Sequence, residues 1–173
     1  NPAIGGLAKS HIVKEIDALG GEMAKVTDKA GIQFKILNKS KGPAVWATRV
    51  QADRALYRKY MRESLEAQDR LVIRAESIEE ILVNKGRVSG VRTTAHTYES
   101  RAIVIATGTF LNGLIHMGEK NFGGGRAAES NSVGITEDLV KLGFETGRMK
   151  TGTPPRVDGR SLDYSKMEVQ PGD

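Results

Sequence analysis

Leu7, His11, Ile12, Ile16 and Leu19 recur at helical spacing within residues 5–19, and Gly20-Gly21 supplies a stop signal, which predicts a first helix. Its entry, Asn1 to Gly6, reads as a turn whose glycines let backbone N–H groups approach something flat or anionic; an ordinary capping turn has the same composition. Gln33 to Leu37 alternates weakly and predicts a strand, followed by a polar Gly-Pro turn over Asn38 to Val45. Gln51 to Gln68 carries the strongest helical pattern. Leu56, Tyr57, Tyr60 and Ala67 share one face of that helix, while Arg54, Arg58 and Arg62 line another at i, i+4, i+8.

The periodicity then changes. Leu71 to Ile73 and Ala102 to Ala106 are short, continuously apolar runs, the pattern of strands buried on both faces of a parallel sheet. Between them, Ile78 to about Tyr98 alternates around an Asn84-Lys85-Gly86 turn and predicts an antiparallel meander. Helix, buried strand, meander and buried strand is the order of an α/β nucleotide-binding domain whose crossover is a β-meander instead of a helix. After Gly108 come a Gly-rich stretch, a short helix over Thr136 to Leu142, and a polar run ending in Lys150 to Arg156. The predicted division is therefore a nucleotide-binding part over residues 1–115. Residues 116–173 form a Gly-rich connection, a short helix and a lead-in to a second domain.

Composition narrows the chemistry. The chain has 173 residues and no Cys, so thiol nucleophiles, disulfides and Cys-type zinc sites are excluded within it, and a cytoplasmic location is the default expectation. No run of about 18 apolar residues or secretory signal is present, so neither membrane spanning nor export is expected. The chain opens on Asn1 rather than Met, as expected of a fragment or a processed piece. The formal net charge is +5, which favours a polyanionic partner. The stretch from Lys35 to Arg74 holds ten Lys or Arg against four acids, more excess positive charge than the whole chain carries. A solvated surface face accounts for this, as does a row of guanidinium groups meeting phosphates.

The candidate site is Ile103-Val-Ile-Ala-Thr-Gly-Thr109. A buried strand ending in Ala106-Thr107-Gly108 puts a hydroxyl and a glycine at the carboxyl edge of a sheet, where doubly wound folds bind dinucleotides. A plain strand-end turn fits the tripeptide equally well. Preceded by a meander, it points to a flavin or nicotinamide domain. There is no Gly-x-Gly-x-x-Gly, Walker lysine motif, His-Glu-x-x-His or Gly-x-Ser-x-Gly. His11, His96 and His116 have no ligand spacing; Trp46, beside Lys41 and Arg49, fits stacking on a base but is read as a partly buried structural residue.

Seven segments together resemble the tRNA uridine 5-carboxymethylaminomethyl modification enzymes, the MnmG or GidA family. They are Asn1-Pro-Ala-Ile-Gly-Gly, His11-Ile-Val-Lys-Glu-Ile-Asp-Ala-Leu-Gly-Gly, Gly31-Ile-Gln-Phe, Ser40-Lys-Gly-Pro-Ala-Val, Arg49-Val-Gln-Ala-Asp-Arg, Ala106-Thr-Gly-Thr-Phe-Leu-Asn-Gly and Lys150-Thr-Gly-Thr-Pro-Pro-Arg. The likeness implies an interior, N-terminally truncated piece of an FAD-binding Rossmann-like domain of the glutathione-reductase type. The implied enzyme uses FAD and NADH, forms a homodimer and acts with the GTPase MnmE. It adds an aminomethyl or carboxymethylaminomethyl group at C5 of the tRNA wobble uridine. By the same resemblance Ala106, Thr107 and Gly108 lie beside the FAD, Ile78 lies near the adenine, Ser132 is another flavin-side contact, and Gly5 and Gly6 face the flavin ring or pyrophosphate. The family's Gly-rich fingerprint, reactive cysteines, most of its nicotinamide-binding insertion and its C-terminal helical domain are not among these residues, and no catalytic residue is assigned. Arg54, Arg58, Arg62, Lys150 and Arg156 are the expected tRNA contacts. A folate- and FAD-dependent tRNA (uracil-5) methyltransferase and a non-catalytic RNA-binding remnant are the competing readings.

Overall fold

The computed structural model describes residues 3–126, 128–152 and 157–173. The chain forms two compact units, one from the N-terminal 73 residues together with 152–173, the other from 74–151.

The first unit is built on an antiparallel three-stranded sheet. Its strands are β1 (Ala3–Gly5), β2 (Gly31–Leu37) and β3 (Ala47–Ala52), in the order β1-β3-β2. Helices α1 (Lys9–Ala18) and α2 (Glu22–Ala30) separate β1 from β2, and α3 (Arg54–Glu66) follows β3. Val26, Ala30, Val50 and Ala52 are buried together with Thr27, whose hydroxyl donates to the Met23 carbonyl at 2.6 Å. That bond lets a polar side chain sit in the core without an unmet donor. Asp53 caps α3, its Oδ1 accepting the N–H groups of Ala55 at 2.8 Å and Leu56 at 2.9 Å. The predicted helix over 51–68 therefore starts later. Gln51 and Ala52 are claimed by β3, because β3 is the central strand and pairs on both sides.

On α3 the half-buried side chains are Tyr57, Tyr60, Met61 and Ser64, while Arg54, Arg58 and Arg62 are exposed as the periodicity predicts. Leu56 is 40% exposed and Ala67 is the C-cap, so those two lie off the buried stripe. The first helix starts at Lys9, three residues beyond Gly6. The C-terminal residues lie along the free edge of β2: Asp173 N–H donates to the Phe34 carbonyl at 2.8 Å, and its carboxylate accepts the Ile36 N–H at 2.5 Å.

The second unit contains the predicted meander, β4 (Ile78–Asn84), β5 (Arg87–Thr93) and β6 (Thr97–Glu99), in sequential antiparallel order. Asn84 pairs with Arg87, leaving Lys85 and Gly86 as a two-residue loop with φ values of 49° and 74°. Two positive φ values in succession are the geometry that matches strand twist. A hairpin of β7 (Leu114–Met117) and β8 (Lys120–Gly123) follows, then α4 (Ile135–Lys141). Asp138 ties α4 to the meander by accepting the Ile81 N–H at 3.1 Å.

Two further expectations need correction: Ala3–Gly5, expected as part of a turn, is β1 because β3 supplies its ladder, and two expected strands are not formed. Leu71 to Ile73 and Ala102 to Ala106 form no ladder among the described residues. Val72 is 69% and Val104 92% exposed. An apolar run becomes a buried strand only when a neighbouring strand accepts from its N–H groups and donates to its C=O groups, and no described strand does so here; Ala102 bonds the Ser100 hydroxyl instead. The α/β class stands, carried by the meander, the mixed elements and the structural match given below.

Candidate functional site

The turn that follows Ala106 closes on itself, with Phe110 N–H donating to the Thr107 carbonyl at 3.2 Å. Thr107 is half-buried, not enclosed in an apolar interior. Gly108 has φ +60°, and the position a Cβ would take meets nothing within 4 Å. The backbone here is thus both left-handed and open on one side, so a flat group can reach it at no steric cost.

Ser132 is brought to the same turn across 24 residues of sequence. Its N–H donates to the Phe110 carbonyl at 2.8 Å, and its own carbonyl accepts the Asn112 N–H at 2.8 Å, a parallel bridge centred on Leu111. Side chains hold the turn from both sides. Thr109 Oγ1 donates to the Gly125 carbonyl at 3.0 Å, and Asn131 Nδ2 donates to the Gly113 carbonyl at 3.1 Å. Asn112 Nδ2 donates to Glu137 Oε1 at 3.1 Å, while Glu137 Oε2 accepts the Gly134 N–H at 3.0 Å. Donation from its own backbone N–H, then from Asn112, with the Gly134 N–H adding to them, holds the Glu137 carboxyl below the usual carboxylate range. Gly134 also lies against β4, where a Cβ would stand 3.1 Å from the Glu79 carbonyl, the residue after Ile78. Ile78 opens β4 opposite Thr93 and is 37% exposed.

The second unit therefore assembles Ala106, Thr107, Gly108 and Ser132 around one turn and links that turn, through residue 134, to the strand that Ile78 begins. Two hydroxyl-bearing residues, Thr107 and Ser132, and the open side of Gly108 thus lie about one turn. Asn112, Asn131 and Glu137 were missed at the level of sequence. Gly134-Ile-Thr-Glu137 carries the N3 carboxylate half of a capping box, and that spacing was a readable signal.

Gly5 and Gly6 belong to the first unit. At Gly5, φ is +94° and a Cβ would stand 2.3 Å from the Thr48 carbonyl oxygen, so glycine is required for β1 to approach β3. Gly6 N–H donates to that same Thr48 carbonyl at 2.9 Å. That donor is used inside the fold, and the open side of Gly6, with nothing within 4 Å of a Cβ position, is what remains accessible.

Of the basic residues, Arg54 and Arg58 are exposed and take part in no ion pair among the described residues. Arg62 is held by Glu66, Nε to Oε1 at 2.6 Å. Lys150 is exposed outside any regular element, and Arg156 lies outside the described residues. His11 and His116 are exposed, and His96 sits 3.1 Å from Glu76. Among the described residues no cluster fits a metal ion and no helix is long and apolar enough to cross a membrane. Trp46 is 44% exposed, its indole N–H donating to the Lys41 carbonyl at 2.9 Å.

The sequence profile of the family "glucose inhibited division protein A" matches residues 1–173. The chain belongs to this family. It is 60% identical to the tRNA uridine 5-carboxymethylaminomethyl modification enzyme MnmG of Salinibacter ruber, covering 100% of this chain and 26% of that protein. The protein of the same name from Flavobacterium johnsoniae is 58% identical, with 28% of its length covered. The structure of Aquifex aeolicus GidA superposes with a TM-score of 0.90 at 50% identity, over 100% of this chain and 29% of that one. The chain thus spans between a quarter and a third of its relatives. The structural match supports the expected α/β, Rossmann-like fold class.

Proposed function

We propose that this chain is the interior part of a flavin-dependent tRNA-modifying enzyme, with residues 1–115 belonging to its FAD-binding domain and residues 116–173 leading into a nicotinamide-binding one. The reaction is addition of an aminomethyl or carboxymethylaminomethyl group at C5 of the wobble uridine, carried out by a cytoplasmic homodimer with the GTPase MnmE and NADH as reductant. The observation that carries this reading is identity of 50–60% along the full chain to proteins named GidA and MnmG. Through that likeness it extends to FAD.

The local geometry fits FAD. Gly108 leaves an uncrowded stretch of main chain, and Thr107 and Ser132 supply hydroxyls around one turn held by Asn112 and Glu137. In this reading Ala106 to Gly108 pack against the cofactor, Ser132 contacts its flavin side, Ile78 borders the adenine, and Gly5 and Gly6 face the ring or pyrophosphate. The bound flavin supplies hydride transfer. The protein's residues position the cofactor and exclude water. Arg54, Arg58, Arg62, Lys150 and Arg156 meet the tRNA backbone.

The test uses the whole protein that carries this segment. It is expected to purify with flavin absorbance bleached by NADH. Gly108→Val, which fills the open side and strains a positive φ, is expected to lose most of its flavin while the folded protein persists. A protein with no flavin bands, which also fails to take up added FAD, contradicts the proposal.

A further inference from the structure

The outward face of the β1-β3-β2 sheet holds an arrangement that none of the site residues above explains. In the antiparallel register Lys35 of β2 stands directly opposite Arg49 of β3, and the next pair along the same face is Gln33 opposite Gln51. Arg49's other lateral neighbour is Gly5 of β1, with Ala3 beside Gln51. Directly opposed residues bring their Cβ atoms within about 5 Å, and like charges directly opposite are destabilising. Lys35 and Arg49 are such a like-charged pair.

Neither forms an ion pair among the described residues, although the charge of Lys35 adds to Lys39 and the Ile36 N–H in holding the Asp173 carboxyl below its usual range. Arg49 is exposed and in no ion pair among the described residues. Lys35 Nζ reaches only the Pro171 carbonyl, at 3.5 Å. The nearby carboxylate, Asp173, is engaged by Lys39 Nζ and the Ile36 N–H, both at 2.5 Å. Gln33 donates to the Gln170 carbonyl at 2.8 Å, so Gln51 is the amide left beside the pair. Gly5 and Ala3 put almost no side-chain bulk next to Arg49. The face thus presents two cations, with one carboxylate, Asp173, on the Lys35 side and an amide and a flank of small residues, Gly5 and Ala3, on the Arg49 side.

We propose that Lys35 and Arg49 form a phosphate-binding site on this face, bridged by one phosphate group whose charge relieves their mutual repulsion. Arg supplies a planar fork and Lys a point charge, a combination suited to a phosphodiester. The phosphate comes from the tRNA backbone or from a nucleotide. The first source rests on the function proposed above. The site lies on β2 and β3, not on the α3 arginine row.

The experiment uses the whole protein, with Lys35→Gln, Arg49→Gln, the double variant, and Lys35→Arg as the charge-conserving control. Binding is measured to an unmodified tRNA transcript across a salt series and, separately, to NADH. For the tRNA source, the double variant loses about tenfold or more in tRNA affinity, and its salt dependence becomes shallower by roughly 1 in log–log slope, about 0.9 for each phosphate no longer neutralised. Lys35→Arg stays near wild type, and NADH binding is unaffected. For the nucleotide source, NADH affinity falls and the tRNA salt slope does not change. In both cases the melting temperature of Arg49→Gln holds or rises, since a repulsion is removed.

Unchanged tRNA affinity, salt slope and NADH affinity in the double variant overturn the site. So does a binding loss that appears only with a lowered melting temperature. Flavin content and wobble product are followed in the same preparations. A flavoprotein that modifies tRNA but ignores these substitutions refutes this site alone, whereas absence of flavin and of product refutes the parent reading.

Discussion

Asn112 and Glu137 are joined across 25 residues by a side-chain hydrogen bond of 3.1 Å, and the same carboxylate also accepts the Gly134 N–H that opens α4. One acid thereby fixes a helix start and the turn that carries Thr107 and Gly108. Its two oxygens do different jobs, so the amide variant Glu137→Gln can keep at most part of the arrangement.

Glu137→Ala is expected to loosen that turn. Amide hydrogen exchange at residues 107–113 should rise several-fold, with flavin retention falling in the whole protein, while exchange in β4 and β5 stays near wild type. Unchanged exchange at residues 110–113 rejects the link.

Gly5→Ala tests the tight crossing of β1 and β3. The added Cβ would stand 2.3 Å from the Thr48 carbonyl at a φ of +94°, combining a clash with left-handed strain of about 1–3 kcal/mol. Gly6→Ala shares the positive φ without the clash and should cost about 1–2 kcal/mol. Urea unfolding of the whole protein ranks the two. Equal midpoints for Gly5→Ala and Gly6→Ala contradict the account.

Much of this was legible beforehand, and the exceptions have physical causes. The α3 helix, the meander and α4 rest on local periodicity and tight turns, which one strand of sequence carries by itself. α2 was hidden by Gly20-Gly21, read as the end of a helical region, although Met23, Val26, Thr27 and Ala30 recur at helical spacing. Gln51 and Ala52 of β3 were read into the start of α3, because β3's identity as a strand comes from pairing with β1 and β2 rather than from its own six residues. The runs at 71–73 and 102–106 failed the other way: they look like strands, but a ladder needs a partner. Within the candidate site, Ala106, Thr107 and Gly108 were singled out as the end of a strand that has no ladder among the described residues, whereas the bridge from Leu111 to Ser132 is a long-range pairing with no local mark.

Glu76 gives a pH signature. Its carboxylate accepts from the hydroxyl of Thr93 at 2.5 Å and that of Tyr98 at 2.8 Å, with His96 Nδ1 at 3.1 Å, and these partners hold its carboxyl below the usual range, Thr93 foremost. A lowered folded-state pKa contributes stability that is present above the unfolded value and is lost as pH falls through the folded one. Wild-type protein should therefore lose more stability than Glu76→Gln on acidification below about pH 4.5, the ordinary glutamate value. Parallel stability curves for the two proteins contradict this assignment.

The arginine row on α3 should not act uniformly. Arg62 already has Glu66 at 2.6 Å, whereas Arg54 and Arg58 have no ion pair among the described residues. Charge reversal at Arg54 and Arg58 should weaken tRNA binding several-fold more than reversal at Arg62, with a shallower salt slope. Equal effects at all three positions contradict the ranking.

Nucleoside mass spectrometry of tRNA from cells lacking the protein, beside cells that retain it, addresses the central claim. The account predicts that 5-carboxymethylaminomethyl or aminomethyl uridine disappears from the wobble position while 5-methyluridine in the T loop persists. Intact wobble modification, or loss confined to the T-loop methyl group, contradicts it.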